Sequence, residues 1–247
     1  MTSTLELIVF SGLIGVIIGS FLNVIILRVP KNENISLPAS HCMTCQKPLK
    51  WYHNIPIFSW ILLGGKCAFC KEKISIQYII IEFLTACMFI SIALRIDSVS
   101  EAFIYSILFS MLLALSVIDL KYKAVPDCIS IPTLFVSFLV GDFFNSFSSA
   151  LFLIGGFTLL RFVVSWIIKK DAMGEADIII AGIIGATVGV ELGLIAIYIS
   201  ALMALIVFFI LSKKEYELPF IPFLAFGLYI TWIFSEQATN LIRIIYE

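Results

Sequence analysis

The sequence predicts an all-α polytopic membrane protein, with about eight transmembrane helices and a small cytoplasmic loop domain in which four cysteines bind zinc. Three observations predict it. First, 61% of the 247 residues are hydrophobic and only 13% are charged, giving a mean hydropathy of +1.08. Soluble domains carry roughly a quarter charged residues, so this composition belongs to a bilayer solvent. Second, the apolar residues fall into runs separated by short polar connections. Third, Lys and Arg gather in alternate connections. The net charge of −1 carries no information about partners, and no nucleic acid is expected among them.

The first run, Leu7 to Leu27, is apolar apart from Ser11, Ser20 and Asn23, which is long enough to span. Glu6 precedes it and Arg28 follows it, the reverse of a cleavable signal peptide, so an uncleaved first helix with its N-terminus outside is expected. Gly12, Gly15 and Gly19 recur on one face and would permit close approach of another helix. Residues 28–75 are the one sizeable polar region. Further runs lie at 76–95, 101–119, 126–144, 149–168, 178–191, 193–211 and 219–236. The sixth and seventh come from a single apolar stretch interrupted by Glu191, with Gly185, Gly189 and Gly193 spaced for tight packing. The domain reading is therefore a first transmembrane helix (1–27), a cytoplasmic zinc-binding loop domain (28–75) and a seven-helix membrane domain (76–247).

Charge counting fixes the orientation. With the N-terminus outside, the inside segments 28–75, 120–125, 169–176 and 212–218 hold 13 of the 16 Lys and Arg residues, leaving Arg95, Arg161 and Arg243. This bias follows the positive-inside rule. It puts Asp119, Asp127, Asp171 and Asp177 at the cytoplasmic ends of helices.

Cys42-x2-Cys45 and Cys67-x2-Cys70 are 21 residues apart in the polar region. The cytosol is reducing, so structural disulfides are not expected there. Two CxxC pairs at this spacing match a tetrahedral zinc site, able to fold a loop with little core of its own. The competing reading is four free thiols or a reversible redox pair. His41, beside Cys42, reads as a bystander and His53 has no partner visible in sequence. Cys87 and Cys128 read as small hydrophobes in or beside spans.

Ionisable groups at a membrane edge are costly and are functional candidates by default. Asp119 ends one apolar run and Asp177 precedes another. Two close aspartates cannot easily both ionise, so one keeps a proton while the other activates water, as in aspartic proteases. The plainer reading of each is a helix-terminal charge. That reading is preferred for Asp127, which follows Pro126, and it is available to Asp177 before Ile178. It fails for Asp119, at a helix C-terminus where the dipole disfavours an anion. Asp171 and Glu175 read as solvated loop charges.

Several segments, in order, resemble one family. They are Gly19-Ser20-Phe21-Leu22-Asn23-Val24 with Arg28-Val29-Pro30; Ser40-His41-Cys42-x2-Cys45; Asn54-Ile55-Pro56; Ser59-Trp60; and Gly65-x-Cys67-x2-Cys70. Ile74-Ser75, Tyr78, Glu82, Asp119 with Pro126-Asp127, Gly174-Glu175-Ala176-Asp177 and Pro219 to Ala225 continue the order. Together they resemble the bacterial type IV prepilin leader peptidases, membrane aspartic proteases of the GxGD kind, over nearly the whole chain. The resemblance implies Asp119 and Asp177 as the catalytic pair and the precursor of a type IV pilin, or of a pilin-like secretion protein, as substrate. Its short basic leader would be removed at the cytoplasmic face of the inner membrane, just before an apolar helix. The resemblance also implies N-methylation of the new N-terminus with S-adenosylmethionine, since members with the four-cysteine loop are usually bifunctional. Which residues would bind that cofactor is not carried by any motif.

Three departures from the family pattern stand out. Ala176 replaces the second glycine of GxGD, which matters if that position needs a positive φ; Met43 and Ile79 stand where proline is common. Glu82, within the second span, is a position of interest whose plainer reading is a hydrogen bond to a neighbouring helix. Three alternatives compete. They are a proton or cation transporter using the two aspartates, a non-enzymatic zinc module anchoring secretion machinery, and a peptidase that does not methylate. Transport carboxylates usually lie deeper in their spans, and no internal repeat of the halves is evident.

Overall fold

A computed structural model describes residues 2–169, 173–211 and 218–246. Asp171, expected as a solvated loop charge, lies outside the described residues, as do Lys170, Lys213 and Lys214. The chain divides into two compact units, Met1–Ser106 and Ile107–Glu247, and is helical with no sheet among the described residues. Among the described residues, five helices are long and apolar enough to cross a membrane, and two more are apolar but shorter.

The first unit is built on α1 (Thr2–Arg28) and α3 (Gln77–Arg95), with the polar region between them. The two helices approach closely because the glycine face of α1 meets α3. A Cβ at Gly15 would stand 2.7 Å from the Ala86 Cα, and one at Gly19 would stand 2.7 Å from the Glu82 Cα. Both distances are shorter than real Cβ contacts, so the interface requires residues without side chains, as the glycine spacing predicts. Asn23 is fully buried and ties the helices together by donating to the carbonyls of Gly19 and Tyr78, at 3.2 Å each. The polar region holds short 3-10 helices at Val29–Lys31 and Trp51–Asn54, a one-turn helix α2 (Phe58–Leu62) and two tight cysteine turns.

The second unit comprises most of α4 (Val99–Tyr122), then α5 (Asp127–Ser137), α6 (Phe143–Ile168), α7 (Glu175–Leu211), α8 (Ile221–Ile233) and α9 (Ser235–Tyr246). Its core is mostly aliphatic. Leu108, Leu112, Leu115 and Ile118 of α4, Ile180, Ile183 and Ile184 of α7, and Ile221, Leu224 and Leu228 of α8 are all buried. Aromatic contacts bind α4 to α8, with the Phe109 ring 5.1 Å from that of Tyr229 and 5.2 Å from that of Trp232. Most of the α6 surface is apolar and exposed, as a helix facing lipid requires.

Four features of the fold correct the sequence reading. α5 ends at Ser137 rather than 144, and α6 starts at Phe143 rather than 149. Asp142 decides this: it is the N-cap of α6, its carboxylate accepting the Asn145 N–H at 3.2 Å, so the Phe-rich run joins the later helix. Second, the stretch expected to split at Glu191 does break, but two residues earlier within α7, at Gly189, which has φ 80 and ψ 177. That conformation is essentially restricted to glycine, so Gly189 is a break in the helix rather than a packing site. Gly185 does pack, since its Cβ would meet the Ser149 carbonyl at 2.5 Å. Third, α8 stops at Ile233, short of 236. Finally, the chain continues as α9, an amphipathic helix the hydropathy pattern does not announce.

Candidate active site and cysteine cluster

Asp119 lies one turn from the end of α4 and is 8% exposed. α4 stops just beyond it because Lys123 adopts φ 50 while its N–H returns to the Asp119 carbonyl at 2.9 Å. The dipole of α4 is unfavourable for a carboxylate there. What holds the anion is the start of another helix: the N–H of Ile221, first residue of α8, donates to Asp119 Oδ2 at 3.3 Å. Pro219, Phe220 and Pro222 shape that start, and Pro222 has no N–H to satisfy. The segment was visible in the sequence only as part of the resemblance. Its contact with Asp119 had no signal in either local stretch.

Asp177 occupies the first turn of α7, where the helix dipole favours it. Its Oδ2 accepts the Gly174 N–H at 3.2 Å, which is half of a capping box. Ala176 is helical and needs no positive φ, so its substitution for glycine leaves the backbone of this turn undisturbed. Glu175, on the same turn, is exposed and pairs with Arg161 of α6 at 3.4 Å. Arg161, one of three basic residues outside the charge-rich loops, thus links α6 to the first turn of α7.

Asp119 and Asp177 line one open cavity of about 410 Å³. Lys123, Asp127, Gly174 and the Leu218–Ile221 segment complete its wall. Asp127 is the exposed first residue of α5, after Pro126, as its helix-terminal reading expects, and it faces the same cavity.

In the first unit the four cysteines converge. The ligand atoms of Cys42, Cys45, Cys67 and Cys70 all lie within 4.8 Å of one another, and the Cys42 and Cys70 sulfurs are 3.7 Å apart. Sulfurs held at ~2.3 Å around a tetrahedral ion would be ~3.8 Å apart, so the cluster could hold a metal ion. The two turns are built alike. The N–H of Gln46 returns to the Cys42 carbonyl at 2.9 Å, and that of Lys71 to the Cys67 carbonyl at 3.1 Å. Gln46 and Lys71 both have positive φ, and the bridges His41–Pro48 and Lys66–Lys73 close the two loops. The amides of Cys45 and Thr44 bring the Cys42 thiol down to about 6. The amides of Cys70 and Phe69 likewise lower the Cys67 thiol. At Cys70 the lowering pull of the Glu72 amide is outweighed by burial and by Cys67, which push that thiol up to about 11. The thiolate that a metal requires is thus favoured at Cys42 and Cys67 and opposed at Cys70. His41 Nδ1 lies 3.0 Å from the Ala39 carbonyl and is not a member of the cluster. The His53 ring instead packs on Phe69, with centroids 5.4 Å apart.

Comparison with known proteins identifies the relationship. Residues 13–96 match the family described as bacterial peptidase A24 N-terminal domain, and residues 106–209 match the type IV leader peptidase family. A prepilin leader peptidase/N-methyltransferase of Xanthomonas campestris is 32% identical, over 92% of this chain and 91% of its own length. The chain belongs to the type IV leader peptidase family. Another relative in this family is the type 4 prepilin-like proteins leader peptide-processing enzyme of Escherichia coli, 31% identical over 86% of this chain and 88% of its own. A Vibrio cholerae prepilin leader peptidase/N-methyltransferase is 33% identical over 82% and 85%. No solved structure matches the chain. Membership in this peptidase family and the five spans make the protein a multi-pass membrane enzyme.

Proposed function

We propose that this enzyme cleaves the leader from type IV prepilins, or from pilin-like precursors, with Asp119 and Asp177 as its catalytic dyad, and methylates the new N-terminus. The observation that carries the reading is the shared cavity: two carboxylates from distant parts of the chain face one open space at helix ends. The substrate's apolar helix enters from the bilayer while its leader stays at the cytoplasmic surface, on the side where the basic loops lie. One aspartate, ionised, takes a proton from water as the oxygen adds to the scissile carbonyl carbon. The other, protonated, gives its proton to the leaving nitrogen as the C–N bond breaks. The pair titrates as a unit, so the two roles belong to the dyad.

The Ile221 N–H orients Asp119 and the Gly174 N–H orients Asp177, in each case through one oxygen. That leaves the second oxygen of each carboxylate for water and substrate. Zinc is the ion the four thiolates suit, and its role is to hold the two cysteine turns together. S-adenosylmethionine would supply an electrophilic methyl group to the new amine. Nothing in the family match supports a proton or cation transporter.

The deciding experiment incubates a prepilin with the wild-type protein, Asp119→Asn and Asp177→Asn in detergent or liposomes, with the methyl donor present. Wild type shortens the precursor and each folded variant does not. Cleavage by both variants would rule out the dyad.

A further inference from the structure

Inside the polar loop of the first unit is a stretch that is not polar. From Trp51 to Gly65 there are fifteen residues without an Asp, Glu, Lys or Arg, and Lys50 and Lys66 flank them. Four large apolar side chains of this stretch face outward. Trp51 is 81% exposed, and Phe58, Ile61 and Leu62 of the one-turn helix α2 are 65%, 58% and 85% exposed. Side chains of this kind gathered on one short segment mark a surface that something apolar covers.

Contacts with α1 and α3 set the depth of the segment. The Phe58 N–H donates to the Pro56 carbonyl at 2.6 Å, closing a three-residue turn around Ile57 at φ 60 and ψ −56. For a β-branched residue this turn is strained, and it persists because Glu82 imposes it. Glu82 of α3 is buried, and its Oε2 accepts the Ile57 N–H at 2.7 Å. On α1 the residue opposite Glu82 is Gly19, nine residues before Arg28 and so ~13 Å inside the charged end of the span. Ile57 and Phe58 also share a cavity with Leu13, Ile17 and Phe21 of α1, all within that span. The segment therefore lies beside the inner turns of α1 and not beyond its end. Irregular backbone at such depth needs its polar groups paired without water. Here Pro56 has no N–H and Glu82 takes that of Ile57. The N–H groups of Ser59, Ile61 and Leu63 return to the carbonyls of Ile55, Ile57 and Ser59 at 3.0 Å each. The Ser59 hydroxyl donates to the Tyr52 carbonyl at 2.7 Å.

We infer that residues 51–63 insert into the acyl region of the cytoplasmic leaflet, as a short monotopic element that holds the cysteine turns against the membrane surface. The inference stands apart from the cleavage and methylation readings. The occupant of the exposed face is lipid: Trp51, Phe58, Ile61 and Leu62 reach the acyl chains at interfacial depth. Lys50 and Lys66 stay at the headgroups. Residues 28–75 hold seven basic residues against two acidic ones, which suits the negative surface of that leaflet. The region is then not wholly cytoplasmic, and Glu82 is the internal acceptor that lets its backbone enter the bilayer.

The test reconstitutes the full chain in vesicles of phosphatidylcholine and phosphatidylglycerol, with some of the phosphatidylcholine carrying a photoreactive diazirine on an acyl chain. Adducts are mapped by mass spectrometry after illumination. Residues 51–63 should carry adducts at the level found on the exposed apolar face of α6, while 40–49 should stay at background. Ile61→Glu combined with Leu62→Glu should lower the labelling of 51–63 at least about 5-fold, with that of α6 unchanged. Should that variant not fold, the wild-type pattern decides alone. Background labelling of 51–63 in the wild type would overturn the insertion and leave the patch to a protein partner or a second copy. Undiminished labelling in the folded double variant would overturn it too, since the adducts would then come from passing contact.

Discussion

Asp119 and Ile221 are 102 residues apart in sequence and one hydrogen bond apart in space, with the Ile221 N–H reaching Asp119 Oδ2 at 3.3 Å. A carboxylate at the unfavourable end of α4 is thereby held by the favourable end of α8. This makes Asp119 structural as well as chemical, and the two roles separate by mutation. Asp119→Asn keeps an acceptor oxygen and should unfold at the wild-type temperature while losing cleavage. Asp119→Ala leaves a buried N–H without a partner, at a cost of about 1–3 kcal/mol. Thermal unfolding in detergent distinguishes them, and equal stability of the two variants would count against the contact.

Ala176 departs from the family's glycine, yet its backbone is helical. Ala176→Gly should therefore leave cleavage within a few-fold of wild type, and should cost stability by about 1 kcal/mol or less, the helix-propensity difference. A large gain in cleavage rate would mean that the turn needs a freedom alanine denies it.

Gly189 breaks α7 in a conformation that other residues avoid. Gly189→Ala should destabilise the second unit by about 1–3 kcal/mol. Space is not the cause, since a Cβ there would meet nothing within 4 Å. A Tm equal to wild type would show that α7 can straighten without cost.

The cysteine cluster predicts one bound metal ion per chain, read by elemental analysis of purified protein. Cys45→Ser or Cys67→Ser should lower that content sharply, and chelation should loosen the 40–74 region to proteolysis, because the two turns have little core of their own. Full metal content in either variant would exclude a four-thiolate site.

Much of this protein was legible in its sequence. Apolar runs and basic loops are local properties, so they announced a helical membrane chain with its carboxylates at helix ends. The glycine face of α1 and the paired CxxC turns are likewise periodic or short-range signals, and the structure places both as their spacing suggests. The misread boundaries have one cause. Hydropathy cannot tell where an apolar run stops being helical, and the backbone does that through the Asp142 cap and the Gly189 break. The second kind of gap is partnership. No local pattern says that Asp119 accepts a hydrogen bond from α8, or that Glu82 bends a loop 25 residues before it. Those contacts exist only once distant helices pack, because a carboxylate taken out of water must find donors wherever the fold brings them.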